Sequence, residues 1–192
     1  MRRPRTNTPR RAGRARGARP AAAVLALTAL LTACGGQSLE ANAPAPVTRF
    51  TENGVTVALS VSDWQASKGT LTAVFTPEEG FHLYSTELPA TGIEGVGRPT
   101  AMNVTGALAA AGEPKAGAEA RDISLPGVDA PVPVYPDGPV TLTLPVRAGA
   151  DGDATVLFGY ASCSTREGCT IPVTDHPVHL RVTAAGATLA AP

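Results

Sequence analysis

Short runs of branched residues, broken throughout by turn formers, decide what this chain can become. Val55-Thr-Val-Ala-Leu-Ser-Val61, Thr70-Leu-Thr-Ala-Val-Phe-Thr76 and Val140-Thr-Leu-Thr-Leu-Pro-Val146 alternate or run apolar with β-branched side chains. Phe81–Tyr84, Thr100–Val104, Ala154–Tyr160 and Val178–Val182 are further runs of the same kind. Branched side chains lose freedom in a helix but pack well on a pleated surface. Gly, Pro, Asp or Asn stand in almost every gap, and no long segment repeats its apolar residues at the period of a helix. Many short strands closed by turns predict an all-β chain folded as a sandwich.

Two regions stand apart from this pattern. Ala107–Ala120 is rich in alanine, but Gly112, Pro114 and Gly117 oppose a helix. We therefore expect strand fragments and a long irregular loop from Ala107 to Pro139. Within it, Pro126–Pro136 carries four prolines and should be extended and stiff. Loops of this length in a compact domain are often functional. Trp64, the sole tryptophan, is assigned with Phe75 and Phe158 to the core rather than to a ligand platform.

The N-terminus has a different composition. Eight of the 16 basic residues are arginines before residue 20, whereas all 16 acids follow residue 34. The formal balance of zero therefore hides a mature part near −8, with eight bases against 16 acids. Such an acidic balance argues against a nucleic-acid partner. The basic tract is followed by an apolar run, Ala21–Leu31, too short to span a bilayer. Basic tract, short apolar run and small residues together read as a signal peptide over residues 1–33. Leu31-Thr-Ala-Cys34 resembles the bacterial lipobox, which implies lipidation at Cys34. The competing reading is an ordinary cleavage site. Residues 34–46, rich in Gly, Ala and Pro, read as a flexible tether, and residues 47–192 as one domain with a real core. The chain is thus expected in the cell envelope, held to a membrane by its lipid and facing the periplasm or the extracellular side.

Three cysteines minus a lipidated Cys34 leave one pair, Cys163 and Cys169, in an oxidising compartment. Five residues separate them. The apolar run Ala154–Tyr160 leads into the first, while Gly168 and Pro172 bracket the second. A short loop between antiparallel strands would bring the pair within disulfide reach. Whether that disulfide is a staple or a reagent is open at this point. The spacing is not C-x-x-C, and a small closed loop alone contributes about 2–3 kcal/mol. If it is a reagent, Cys163, directly after the apolar run, should be the more buried sulfur, and Cys169 the accessible one. Arg166 would favour a thiolate and Glu167 would oppose it.

His82, His176 and His179 could supply metal ligands by type, but their spacing matches no zinc motif, and no metal or other cofactor is expected. His179 alternates with Val178 and Leu180 as a solvent-facing strand residue, and His176 precedes Pro177 in an expected turn. His82 could serve the sulfurs as a proton partner. No phosphate-binding glycine loop or Ser-His-Asp set is evident.

Three pieces in order carry a family resemblance: Gly80-Phe-His-Leu-Tyr-Ser85; Val134-Tyr135 ahead of Leu142-Thr-Leu-Pro-Val146; and Tyr160-x-x-Cys163-x5-Cys169-x-x-Pro172 with a closing strand. Together they resemble the N-terminal periplasmic domain of the thiol:disulfide interchange protein DsbD, over most of Val47 to Ala184. The resemblance implies an immunoglobulin-like sandwich and a role in protein-disulfide reduction. It implies that Cys163 and Cys169 are a redox pair and that Cys169 meets the partner. It places His82, Tyr84 and Tyr160 near that pair, and it implies exported thioredoxin-like proteins as partners. The family's own membrane and thioredoxin-like domains have no counterpart in this sequence, so a separate membrane protein is expected as electron donor. The region matching the family's cap loop, Pro126–Tyr135, carries Asp129 and no phenylalanine. The alternative function is a protein-binding or assembly module whose disulfide is purely structural.

Overall fold

The computed structural model describes residues 47–190. The expected signal peptide and the whole tether, Cys34 included, lie outside the described residues. The strands are β1 (Thr48–Glu52), β2 (Val55–Gln65), β3 (Lys68–Pro77), β4 (His82–Leu83), β5 (Ala101–Gly106), β6 (Leu108–Ala110), β7 (Lys115–Ala116) and β8 (Arg121–Ile123). They continue with β9 (Val132–Val134), β10 (Val140–Ala148), β11 (Gly152–Tyr160), β12 (Ser162–Ser164), β13 (Gly168–Cys169), β14 (Val173–Thr183) and β15 (Gly186–Leu189). Every pairing is antiparallel, and the described residues contain no helix.

Two larger sheets make an immunoglobulin-like sandwich. One runs in the order β1-β2-β3-β10-β6, with β7 also pairing β10; the other runs β15-β14-β11-β5. Alternation explains why they face each other. Val55, Val57 and Leu59 of β2, Leu71, Ala73 and Phe75 of β3, and Val140, Leu142, Leu144 and Val146 of β10 all turn inward. They meet Ala154, Val156 and Phe158 of β11 and Val178, Leu180 and Val182 of β14 in one continuous core. Phe75 and Phe158 touch edge to face across the two sheets, with ring centroids 5.9 Å apart.

The N-terminal strand β1 is joined to β2 by Asn53-Gly54, both at positive φ (46° and 75°). That two-residue turn suits the right-handed twist of the hairpin it closes. The region Ala107–Pro139 resolves into four short strands, β6 to β9, joined by loops, and the proline-rich run is extended through β9. Trp64 departs from its expected place. It sits half-buried at the rim, packed against the core from outside, and its Nε1 donates to the Ala184 carbonyl at 3.1 Å. A polar indole nitrogen is more easily satisfied at the edge of a core than at its centre.

His176 also departs from expectation, lying within β14 rather than in a turn. Its ring stacks on Phe50 at 3.7 Å, and its Nδ1 is 2.6 Å from Glu52 Oε2. The same part of β14 is irregular. Asp175 has φ of 56°, Pro177 follows, and the register against β11 shifts between Phe158 and Tyr160.

Beside the main core stands a small three-stranded sheet, β13-β12-β4, and the two-stranded ribbon β8-β9. A second apolar cluster fills the space there: Tyr84, Leu88, Val132, Val134, Ala161 and Cys163, flanked by Ile93, Ile123, Leu125 and Val128.

Candidate functional site

β11 ends at Tyr160, and the chain re-enters a sheet two residues later as β12. A tight hairpin through Thr165–Glu167 returns it as β13, with Gly168 at φ of 91°. Cys163 stands directly opposite Cys169 in this hairpin. Thr170 donates its amide to the Ser162 carbonyl at 2.9 Å, which leaves Cys163 and Cys169 as the close, non-hydrogen-bonded pair of the ladder. Their Cα atoms are 4.0 Å apart and their sulfurs are bonded.

The two sulfurs differ in exposure. Cys163 is 5% exposed within the second apolar cluster, whereas Cys169 belongs to an exposed strand. Next along the chain, Ile171 is 76% exposed, a rare position for a large aliphatic side chain in this molecule. Its carbonyl accepts from Asn53 Nδ2 at 2.9 Å, so the turn between β1 and β2 holds this segment. Arg166 and Glu167, weighed from the sequence as thiolate modifiers, are both exposed at the hairpin tip.

Tyr84, directly after β4 and bridged to Val134, reaches the pair. Its hydroxyl is 2.8 Å from Cys163 Sγ and 3.6 Å from Cys169 Sγ. Backbone bonds fix the tyrosine from both sides. The Tyr84 carbonyl accepts from Thr100 Oγ1 at 2.7 Å, Tyr135 donates its amide to Leu83 at 2.8 Å, and Ser85 donates to Pro133 at 3.0 Å. The Tyr84 ring packs where a side chain at Gly97 would otherwise stand; a Cβ there would lie 2.6 Å from ring atom Cε1. Burial pushes the Tyr84 hydroxyl pKa above its ordinary value, so at neutral pH it keeps its proton and can donate it to sulfur.

His82 opens β4, two residues before Tyr84, and faces Cys163 directly across the ladder. It is 4% exposed. Nδ1 stands 3.5 Å from Asp137 Oδ1, and Asp137 in turn stands 3.8 Å from Arg121 Nη2. Nε2 is buried with no hydrogen-bond partner among the described residues. Burial lowers the His82 pKa, and Asp137 opposes that shift.

The structure thus brings Cys163, Cys169 and His82 together on one small sheet, with Tyr84 directly beside it. Tyr160 is placed elsewhere. Its ring lies in the main core against Phe75, and its hydroxyl donates to the Glu52 carbonyl at 3.2 Å. The reason is parity: Tyr160 shares its face of β11 with Phe158 and Val156, all turned to the core. Asp137 was not singled out from the sequence, because nothing local marks one aspartate in a Pro-Asp-Gly turn as the neighbour of a distant histidine. Among the described residues no cluster of His, Cys, Asp or Glu could hold a metal ion, and no helix is long and apolar enough to cross a membrane.

No protein-family model matches the chain, and no curated protein matches it. Among solved structures it is similar to the N-terminal domain of DsbD from Neisseria meningitidis in its reduced form, at 13% identity and a TM-score of 0.46, over 72% of this chain and 91% of that one. It is also similar to the GAE domain of GGA2p from Saccharomyces cerevisiae, at 12% identity and a TM-score of 0.34, over 68% of this chain and 96% of that one. Neither likeness bears on what the chain does.

Proposed function

We propose that this chain is an exported thiol–disulfide exchange protein, relaying electrons for protein-disulfide reduction through Cys163 and Cys169. The asymmetry of the pair carries the reading. Exchange needs one sulfur a partner can reach and one that leaves and later resolves the mixed disulfide. Cys169 is exposed, whereas Cys163 is buried under the Tyr84 hydroxyl. A partner thiolate attacks Cys169 Sγ, the bond between the two sulfurs breaks, and its electron pair leaves on Cys163 Sγ. There the Tyr84 hydroxyl donates to the new thiolate, and a better-stabilised leaving thiolate leaves faster. The partners this chemistry suits are exported thioredoxin-like proteins, with a separate membrane protein as electron source.

The test is a pair of variants run on a non-reducing gel, with adducts identified by mass. Cys163→Ser leaves Cys169 free and should accumulate mixed disulfides with exported thioredoxin-like proteins, while Cys169→Ser should accumulate few. The reverse pattern would exchange the roles of the two sulfurs. No adduct from either variant would leave the disulfide a structural staple in a protein-binding module.

The anchor belongs to the same proposal. Cys34 carries the lipid that holds the domain at a membrane of the cell envelope. Labelled fatty acid should enter the wild type and not Cys34→Ala; label in both would remove the anchor from this account.

A further inference from the structure

The geometry points to His82 as the general base that takes the proton of the Cys163 thiol when that sulfur closes the disulfide, with Asp137 determining which ring nitrogen is free to do so. The inference rests on reading Cys163 and Cys169 as an exchange pair.

Three observations converge on His82. It is the direct cross-strand neighbour of Cys163, and opposed residues of a ladder carry their Cβ atoms about 4.5–5.5 Å apart on one face. Tyr84 shares that face and touches the same sulfur, with its ring edge-on to the imidazole at 6.3 Å between centroids. Finally, Nε2 is a buried polar atom with no partner among the described residues, and such atoms call for an explanation. Asp137, 54% exposed, lies beside Nδ1 at the other end of the ring. A carboxylate there keeps the proton on Nδ1 and leaves the Nε2 lone pair free, the arrangement by which a third group orients a base.

The groups facing His82 agree with this role. Asp137 is the carboxylate beside it, the Arg121 guanidinium near the same carboxylate oxygen also disfavours charge on the ring, and Tyr84 is neutral. Burial keeps the ring uncharged at neutral pH, and only an uncharged ring can accept a proton. Once protonated, the ring gains the Asp137 carboxylate beside Nδ1.

The step balances as follows. After Cys169 has attacked a partner disulfide R–S–S–R, the enzyme holds Cys169 Sγ–S–R, and the first RS⁻ has left. The Cys163 thiol gives its proton to His82 Nε2, and its sulfur attacks Cys169 Sγ. The bond between the two cysteine sulfurs forms, the Cys169 Sγ–S–R bond breaks, and the second RS⁻ leaves with the electron pair. The dithiol is oxidised, the partner disulfide is reduced, and the imidazolium returns its proton to solvent through exposed Asp137 or to the departing thiolate.

An aromatic disulfide that releases a coloured thiolate separates the two steps in the reduced full-length protein. The first release reports attack by Cys169, the second closure by Cys163. In the wild type the second phase should be level between about pH 7 and pH 8, above the range where the lowered His82 titrates. In His82→Gln it should slow at least about tenfold near neutrality, and rise about tenfold per pH unit toward the ordinary thiol pKa of about 8.5. The first phase should not change. Asp137→Asn, at an exposed position, should slow the second phase by a smaller factor and leave the first alone. Equal second phases in all three proteins would overturn the proposal, as would a wild-type second phase that already climbs like a free thiol. If His82→Gln fails to fold, Asp137→Asn and the wild-type pH profile still decide. Loss of the exchange reading would show separately, as an absence of partner adducts.

Discussion

The Tyr84 hydroxyl stands 2.8 Å from Cys163 Sγ, a contact between residues far apart in sequence that the ladder of β4 against β12 brings about. Of the two sulfurs it is nearer the buried one. Its value therefore lies in the state where that sulfur carries charge.

Tyr84→Phe keeps the ring that packs against Gly97 and removes the donor. A hydrogen bond to a charged group is worth about 1.5–3 kcal/mol, so reduction of the disulfide by a small thiol should slow by about tenfold or more. Thermal stability of the oxidised protein should change little by comparison. The check is the pseudo-first-order reduction rate measured beside a melting curve; an unchanged rate would remove Tyr84 from the chemistry.

Reduction should leave the sandwich folded. Cys163 belongs to the second apolar cluster and the pair spans a small hairpin, so the main core has no covalent dependence on it. Opening so short a loop costs about 2–3 kcal/mol, which corresponds to a fall in Tm of roughly 5–10 °C with cooperativity retained. Melting curves with and without reductant test this. Loss of the cooperative transition on reduction would mark the disulfide as a staple.

Tyr160 makes the fold sensitive to alkali. Burial, with a smaller contribution from Glu52, pushes its pKa up from the ordinary tyrosine value to about 12 in the folded chain. The folded state therefore holds its proton where the unfolded chain releases it. That stability is complete below the unfolded pKa and is lost as pH rises through the interval up to about 12. Tyr160→Phe should flatten this loss in denaturant titrations over the same interval while leaving exchange rates at neutral pH unchanged. An identical alkaline profile in the variant would show that other groups govern it.

Ile171 should matter to protein partners and not to small thiols. At 76% exposure its replacement by Ser should shift stability by no more than about 0.5 kcal/mol. Beside an exposed Cys169 it offers apolar area that a docking protein would cover. The expected result is a raised KM for reduction by a thioredoxin-like protein, with an unaltered rate for a small thiol. Equal KM values would remove Ile171 from the contact.

The long strands of the sandwich were legible because alternation is a local signal. Val55–Val61, Thr70–Thr76 and Val140–Val146 each carry the inward parity that the core uses. β1 went unread although Asn53-Gly54 marks a hairpin turn, since Thr48–Glu52 is polar enough to pass for linker. The inward turn of Tyr160 was also available from its parity with Phe158, which the family resemblance obscured. His176 stacks within a strand because Phe50 and Glu52, far away in sequence, supply its partners. The meeting of His82 with Asp137 is of the same kind: strand β4 and the turn at Asp137 converge from distant parts of the chain, and no periodicity within either records it.

The irregular first half of β14 has a consequence for how copies of this chain meet. Its pairing with β15 covers only Leu180–Thr183, so among the described residues the backbone before His179 has a neighbouring strand, β11, on one side alone. Open edges of this sort invite strand addition and aggregation. Asp175, turned to positive φ, breaks the extended line, and Pro177 removes an amide that an incoming strand would need. Whatever docks beside the exposed Cys169 is thereby denied a free backbone edge at this strand.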